Sequence, residues 1–316
     1  MRVVIWTRLT GRRFRERLEA HPSLEVLVPA DAAEAIGMVR GADLLVTDGA
    51  YDPTLAAALR HDRGRLRFIQ LVTAGYDGLT ALGVPDGVAV SNVGGFFSAT
   101  VAEHAIALLI ALLRQLSHAV ADTERHIQDR GMATQVRSLQ GADVVIIGFG
   151  SIGQELARRL RPFGVRILAL VQTPRFEALA DEIHTRRSLH AILARADAAI
   201  VAAPLTAATR RLIGQAEFAA CKRGMILINV ARGELVDTAA LAAALAGGQI
   251  GGAGLDVTDP EPLPPDHPLW ASPNLIVTPH VAGSGRRGAA DRMADVVLAN
   301  IALLAAGKPP LHQVSV

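Results

Sequence analysis

Gly141-Ala-Asp-Val-Val-Ile-Ile-Gly-Phe-Gly-Ser-Ile-Gly153 is the stretch that decides how the chain folds. Val144 to Ile147 is an unbroken apolar run, as a strand covered on both faces requires. It leads into Gly148, Gly150 and Gly153, and Gln154 to Phe163 then sets Leu156 and Leu160 at helical spacing. The glycines therefore stand where a strand turns into a helix. Each has a task there: Gly148 for the tight turn, Gly150 for close approach of backbone to a pyrophosphate, Gly153 for helix-to-strand packing. The helix N-terminus, with Ser151 and Ile152, adds free N–H groups and partial positive charge. Glycines at this spacing also occur in ordinary loops, but the flanking strand and helix point to a dinucleotide site.

Upstream, short apolar strands alternate with amphipathic helices. Strands are expected at Val3–Trp6, Leu24–Val28, Leu44–Thr47 and Phe68–Val72, and helices at Arg12–Ala20, Ala32–Arg40 and Pro53–Arg60. Such alternation predicts a parallel sheet with helices on both faces. No glycine fingerprint follows the first strand, so this half is not expected to hold the cofactor. At Val72-Thr-Ala-Gly-Tyr-Asp77 a buried strand ends in small residues, where the amides of Ala74 and Gly75 could receive a carboxylate. A plain turn suits the same stretch. One long helix is expected from Ala99 to about His126, with Glu103 and His104 as ordinary polar residues of its first turn.

Downstream, Val165 to Val171 reads as the second strand of the cofactor unit. An NAD site would place an acid near its end, to hold the ribose hydroxyls. Here Val171-Gln172-Thr173-Pro-Arg175 carries none. Without the anion a 2′-phosphate meets no repulsion, and Arg175 could pair with it, which favours NADP over NAD. A solvated Arg175 and a relaxed preference is the alternative. Strands at Ala198–Ala202, Ile226–Val230, Ala253–Val257 and Leu275–Thr278 follow, with a helix over Asp237–Ala246 and a last one over Arg292–Leu304. Arg232, Glu261 and His280 each stand just past a strand end, and in a doubly wound sheet those ends share one edge.

Composition narrows the functional classes. Among 316 residues, 50% are hydrophobic and 20% charged, enough for a large core and for two domains. The formal charge is only +2 and the arginines are scattered, so nucleic acid is not indicated. Ala105 to Leu113, the most apolar stretch, is about half of what a bilayer span needs. The opening residues lack the length of a signal peptide. Cys221 stands alone, which excludes an internal disulfide and suits a reducing, cytoplasmic setting; a buried, inert thiol is the expected reading. No histidine and cysteine grouping has metal-ligand spacing.

Taken together, Thr-Ala-Gly-Tyr-Asp77, Val-Ala-Glu-His104, Gly-Phe-Gly-Ser-Ile-Gly153, Ala-Pro-Leu-Thr206, Asn-Val-Ala-Arg-Gly233, Gly-Leu-Asp-Val257, Asp-Pro-Glu-Pro262 and Thr-Pro-His280 resemble the D-isomer-specific 2-hydroxyacid dehydrogenases. The resemblance implies an α/β fold of two doubly wound parallel-sheet domains. A Rossmann cofactor domain would span residues 98–284, and a flavodoxin-like substrate domain residues 1–97 plus 285–316. It implies a homodimer built on the long helix, and Arg232, Glu261 and His280 as catalytic residues. Ala74, Gly75 and Arg232 would bind substrate. Cofactor contacts would extend from the glycine loop to Thr100, Gln172, Thr173, Arg175, Ala203, Pro204, Thr209, Val230, Ala231, His280 and Gly283, with Asp256 near the nicotinamide carboxamide. The missing acid and the short Phe96-Phe97 stretch depart from the family pattern.

The implied chemistry accounts for these residue types. Reducing a 2-keto acid needs a hydride on carbon and a proton on oxygen, and histidine titrates near neutral pH. Glu261 would fix the histidine tautomer, and Arg232 offers a permanent charge and a fork of donors to carboxylate and carbonyl. Singly, each residue also has a structural reading, as solvated loop residue or helix cap. The leading expectation is an NADPH-using reductase of a small keto acid such as glyoxylate or hydroxypyruvate. Alternatives are a dehydrogenase of formate, phosphite or an aromatic keto acid, which Phe96-Phe97 would suit if it lined the pocket, although core packing is the expected fate of two phenylalanines, and a dinucleotide-sensing corepressor.

Overall fold

The computed structural model describes every residue except Arg8 and Ala50. The chain forms two compact units, Met1–Phe96 with Gly285–Val316, and Phe97–Ser284.

In chain order the first unit contains β1 (Arg2–Trp6), α1 (Arg12–Glu19), β2 (Glu25–Leu27), α2 (Ala32–Arg40), β3 (Leu44–Thr47), α3 (Pro53–His61), β4 (Phe68–Leu71), α4 (Asp77–Leu82) and β5 (Ala89–Ser91). The strands form one parallel sheet in the order β2-β1-β3-β4-β5, the flavodoxin-like winding. Every residue of β3 and β4 is buried, which explains their mainly apolar character, with Thr47 and Gln70 as the polar exceptions. Local chemistry starts the helices: Asp31 accepts the Glu34 amide at the head of α2, and Asp52 accepts the Leu55 amide at the head of α3, with Pro53 in the first turn.

The second unit contains α5 (Ser98–Leu113), α6 (Leu116–Glu124), β6 (Asp143–Ile147), α7 (Ser151–Leu160), β7 (Arg166–Leu170), β8 (Glu182–His184), α8 (Leu189–Leu193), β9 (Ala198–Val201), α9 (Gln215–Ala220), β10 (Met225–Asn229), α10 (Thr238–Ala246), β11 (Ile250–Leu255) and β12 (Leu275–Val277). Its seven parallel strands run β12-β11-β10-β9-β6-β7-β8. Counted from β6, this is the Rossmann order with one strand added beyond β11, and the winding reverses between β6 and β9. Apolar clusters cover both faces of this sheet, one around Val145, Leu168 and Leu227, the other around Val144, Ile146 and Ile228.

The chain then returns to the first unit as α11 (Ala289–Ala305). Arg13 and Arg17 of α1 reach Asp291 and Asp295 of α11 at 2.9 and 2.6 Å. Asn300, fully buried, donates to Gln70 Oε1 and accepts the Leu311 amide, both at 2.7 Å. Buried amides matched in this way fix the register of the returning segment.

The single long helix expected over Ala99–His126 is a broken one. α5 and α6 meet at 66°, and Gln115 between them takes the left-handed conformation at φ +55°. α5 lies in the core, whereas no residue of α6 is buried, so no packing surface carries the first axis onward. Among the described residues no single helix is long and apolar enough to cross a membrane. Burial pushes the Cys221 thiol up to about 12, which leaves it in the unreactive protonated form, as its apolar setting suggested.

Candidate active site

The glycine loop joins β6 to α7 at the winding reversal. Gly148 has φ +93°, and a Cβ there would lie 2.6 Å from the Ala203 backbone, so only glycine lets the ends of β6 and β9 pack together. A Cβ on Gly153 would lie 2.4 Å from the Gly148 carbonyl oxygen. Gly150 differs: a Cβ there meets nothing within 4 Å. It caps α7 without a side-chain bond, so the helix end is open for an anion. The space and the donors suit a dinucleotide pyrophosphate.

After β9 the turn Ala203-Pro204-Leu-Thr206 is closed by Thr209, whose hydroxyl donates to Pro204 O at 2.7 Å and accepts the Thr206 amide at 2.8 Å. After β7, Arg175 turns back over the glycine loop. It donates from Nη2 to Phe149 O at 3.0 Å, and its Nε contacts Glu177 Oε1 at 2.5 Å. Gln154 of α7 donates to the other oxygen of Glu177. Gln172 and Thr173 are exposed beside it.

Past β10, Asn229 shapes the turn that carries Arg232. Its side chain accepts the Ala231 amide at 3.1 Å and donates to the Arg232 carbonyl at 2.9 Å. A Cβ on Gly233 would stand 1.9 Å from Thr258 O, so this turn lies flat on the segment leading to Glu261. Thr238 of α10 donates to the Asp259 carbonyl at 2.8 Å, and Thr258 to that of Pro260. These contacts hold the proline-rich loop that presents Glu261.

His280 follows β12 with φ +54°, left-handed and uncommon for a residue with a side chain. Asp256, 2% exposed at the end of β11, holds that turn. Its backbone oxygen accepts the His280 amide at 2.8 Å. Its carboxylate accepts the Val281 and Ala282 amides at 2.9 Å each and the Thr278 hydroxyl at 2.7 Å. The imidazole Nδ1 stands 2.7 Å from Glu261 Oε1. Nδ1–H is thus the donor to the carboxylate, and Nε2 is left for other chemistry.

Arg232, Glu261 and His280, expected past three strand ends, therefore all lie in the second unit, and the structure pairs the last two directly. Thr100 donates to Phe97 O at 2.9 Å beside Gly283, while Val230 and Ala231 are buried under the Arg232 turn. Ala74 and Gly75 belong to the first unit. There Asn92 donates to Ala74 O at 2.8 Å and Thr73 to Gly75 O at 2.9 Å, bonds that engage the carbonyls rather than the amides.

One expectation changes. Glu103 and His104 are not first-turn residues, because α5 begins at Ser98. Glu103 instead faces Arg159 at 3.6 Å, and His104 Nε2 lies 2.9 Å from Thr278 Oγ1, extending the Asp256 network into α5. Phe96 and Phe97 have different surroundings. Arg286 stacks 4.2 Å above the Phe96 ring, and Phe97 packs against the core of the second unit. The sequence reading gave Asn229 and His104 no role beyond their motifs and did not single out Glu177. Among the described residues no group of three or more histidine, cysteine or acidic side chains forms a metal cluster.

Residues 106–282 match the family profile described as D-isomer specific 2-hydroxyacid dehydrogenase, NAD binding domain. The chain is 34% identical over 319 residues to a glyoxylate reductase of Thermococcus kodakarensis, covering 97% of this chain and 94% of that one. It is 35% identical over 230 residues to the human glyoxylate reductase/hydroxypyruvate reductase, covering 70% and 69%. Its fold is similar, at a TM-score of 0.85 and 28% identity over 99% and 98% of the two chains, to the crystal structure of an NADPH-dependent glyoxylate/hydroxypyruvate reductase from Sinorhizobium meliloti in complex with NADP and sulfate.

Proposed function

The chain belongs to the D-isomer-specific 2-hydroxyacid dehydrogenases, a family of oxidoreductases using a nicotinamide dinucleotide, and from that premise we propose that it reduces a small 2-keto acid, glyoxylate or hydroxypyruvate, with NADPH. The observation that carries this reading is the 2.7 Å pair of His280 Nδ1 and Glu261 Oε1, held on an Asp256-anchored turn in the same unit as the glycine loop. A nicotinamide dinucleotide held by the glycine loop would supply the hydride. His280 delivers a proton from Nε2 to the carbonyl oxygen, with Glu261 fixing its tautomer. Arg232 polarises the carbonyl and binds the carboxylate.

The second unit serves as cofactor domain and the first as substrate domain. The α7 N-terminus and Gly150 would hold the pyrophosphate, and Arg175 the 2′-phosphate. In this reading Thr100, Thr173, Ala203, Pro204, Thr209, Val230, Ala231 and Gly283 border the cofactor. A second copy of the chain covers α6, where Leu116 and Val120 are exposed, and the protein works as a cytoplasmic homodimer. The test is steady-state oxidation of NADPH and NADH with glyoxylate, hydroxypyruvate, pyruvate and phenylpyruvate. Fastest turnover is expected for NADPH with one of the first two. Cofactor binding without reduction of any of them would overturn the assignment in favour of other substrates or a sensing role.

The cradle has its own test. Alanine at Gly150 fits the apo fold, since its Cβ meets nothing and its φ is −80°. Gly150→Ala is expected to keep the melting temperature yet weaken NADPH binding on the order of tenfold, about 1.4 kcal/mol. Gly148→Ala, at φ +93° against the Ala203 backbone, is expected to lower the melting temperature itself. Titration calorimetry and thermal unfolding separate the two.

A further inference from the structure

A guanidinium reserved for an incoming phosphate would be expected to stand clear of carboxylates, and Arg175 does not. Its Nε lies 2.5 Å from Glu177 Oε1, and the Glu177 side chain is only 11% exposed. Glu177 is fixed in turn by Gln154, which donates to its second oxygen from α7. One N–H of Nη2 goes to Phe149 O, the carbonyl inside the glycine loop. Both N–H groups of Nη1 and the second of Nη2 lie outside these contacts and can face a ligand. The fork is therefore oriented over the loop, with its charge offset by a half-sequestered anion of this chain.

We infer that Glu177 is a positioning and specificity-determining residue that limits NADPH preference, because its carboxylate occupies Arg175 in competition with the 2′-phosphate. This rests on the reading that Arg175 faces that phosphate. Two consequences follow from charge alone. The pair neutralises the site, so that NADH, which brings no phosphate to Arg175, is not rejected. A 2′-phosphate gains less from Arg175 than from a guanidinium without a carboxylate partner, since two anions share one cation. Glutamine at 177 keeps an acceptor for Nε and, with the Gln154 amide turned over to accept, a partner for Gln154, while removing the charge.

The experiment measures binding of 2′,5′-ADP and 5′-ADP by titration calorimetry to the full chain, with KM for NADPH and NADH alongside. Glu177→Gln is expected to raise the affinity ratio of 2′,5′-ADP to 5′-ADP about tenfold, mostly through 2′,5′-ADP, and to lower KM for NADPH without a matching change for NADH. Arg175→Ala is expected to bring the ratio down towards unity. On the Arg175→Ala background the Glu177→Gln effect should shrink by most of its size, since it acts through the guanidinium. If Arg175→Ala abolishes the ratio but Glu177→Gln leaves it unchanged, the role of Glu177 falls and the NADPH reading stands. If Arg175→Ala itself leaves the ratio unchanged, both fall.

Discussion

Replacing His280 by glutamine is expected to lower kcat for keto-acid reduction by about three orders of magnitude, with little change in the affinity for NADPH. The size follows from what a positioned general acid contributes, roughly 10²- to 10⁴-fold. A carbonyl that accepts hydride becomes an alkoxide unless a proton arrives, and glutamine has none to give at neutral pH. The fold should tolerate the change, because the turn at 280 is held by backbone bonds to Asp256, not by the imidazole. The left-handed φ remains a strain for any side chain there, and it is already present in the native turn. Glu261→Gln leaves an acceptor for Nδ1–H and should cost less than the loss of the ring. Stopped-flow oxidation of bound NADPH at saturating keto acid reads the chemical step directly. A fall smaller than tenfold in His280→Gln would remove His280 from the role of acid.

The parts of this site that could be read in the sequence are those built from neighbours along the chain. Strand, glycines and helix at 144–160 lie within one short segment, and each residue type answers a local demand. The strand ends at Arg232, Glu261 and His280 were legible for the same reason, since each follows an apolar run. What escaped reading depends on contacts between distant segments. The turn at Gln115 has no glycine or proline to mark it; it exists because the core ends where α5 ends. β8 is a three-residue edge strand with no fully buried residue, too short and too polar to show a period. His104 gains its meaning from Thr278, 174 residues later, and Asp256 from amides at 281 and 282. Glu177 is close to Arg175 in sequence, yet its pairing requires the loop geometry and Gln154 of α7.

Asp256 shows how these distant contacts serve chemistry. A carboxylate this deeply buried is tolerable only when its oxygens are matched by donors, and here two amides and a hydroxyl supply them. The same bonds dictate where His280 stands, while Glu261, arriving on a separate loop, dictates how its ring is turned. Position and orientation are thus set by different segments, both tied to ends of the parallel sheet.

Arg232→Ala is expected to reduce kcat/KM for the keto acid about 10³-fold or more, the loss that follows when donors to a developing oxyanion are removed. The guanidinium itself donates to Ala231 O at 2.7 Å, but other bonds shape the turn as well. Asn229 bonds the Arg232 carbonyl and the Ala231 amide, and Gly233 lies against Thr258, so the turn is shaped by backbone and by neighbours. Lost activity then reports the missing guanidinium and not a misplaced loop, which an unchanged affinity for NADPH would verify. Arg232→Lys should recover only part of the loss. It restores the positive charge but not the planar fork, and a carboxylate beside a carbonyl presents acceptors that a fork matches and a point charge does not. The division of the effect is informative: a weakened carboxylate contact raises KM, whereas a carbonyl left unpolarised lowers kcat. Both are expected to move in Arg232→Ala, and added guanidinium ion should restore part of kcat. If KM alone rises and kcat holds, Arg232 binds substrate without assisting the chemical step, and polarisation of the carbonyl passes to His280.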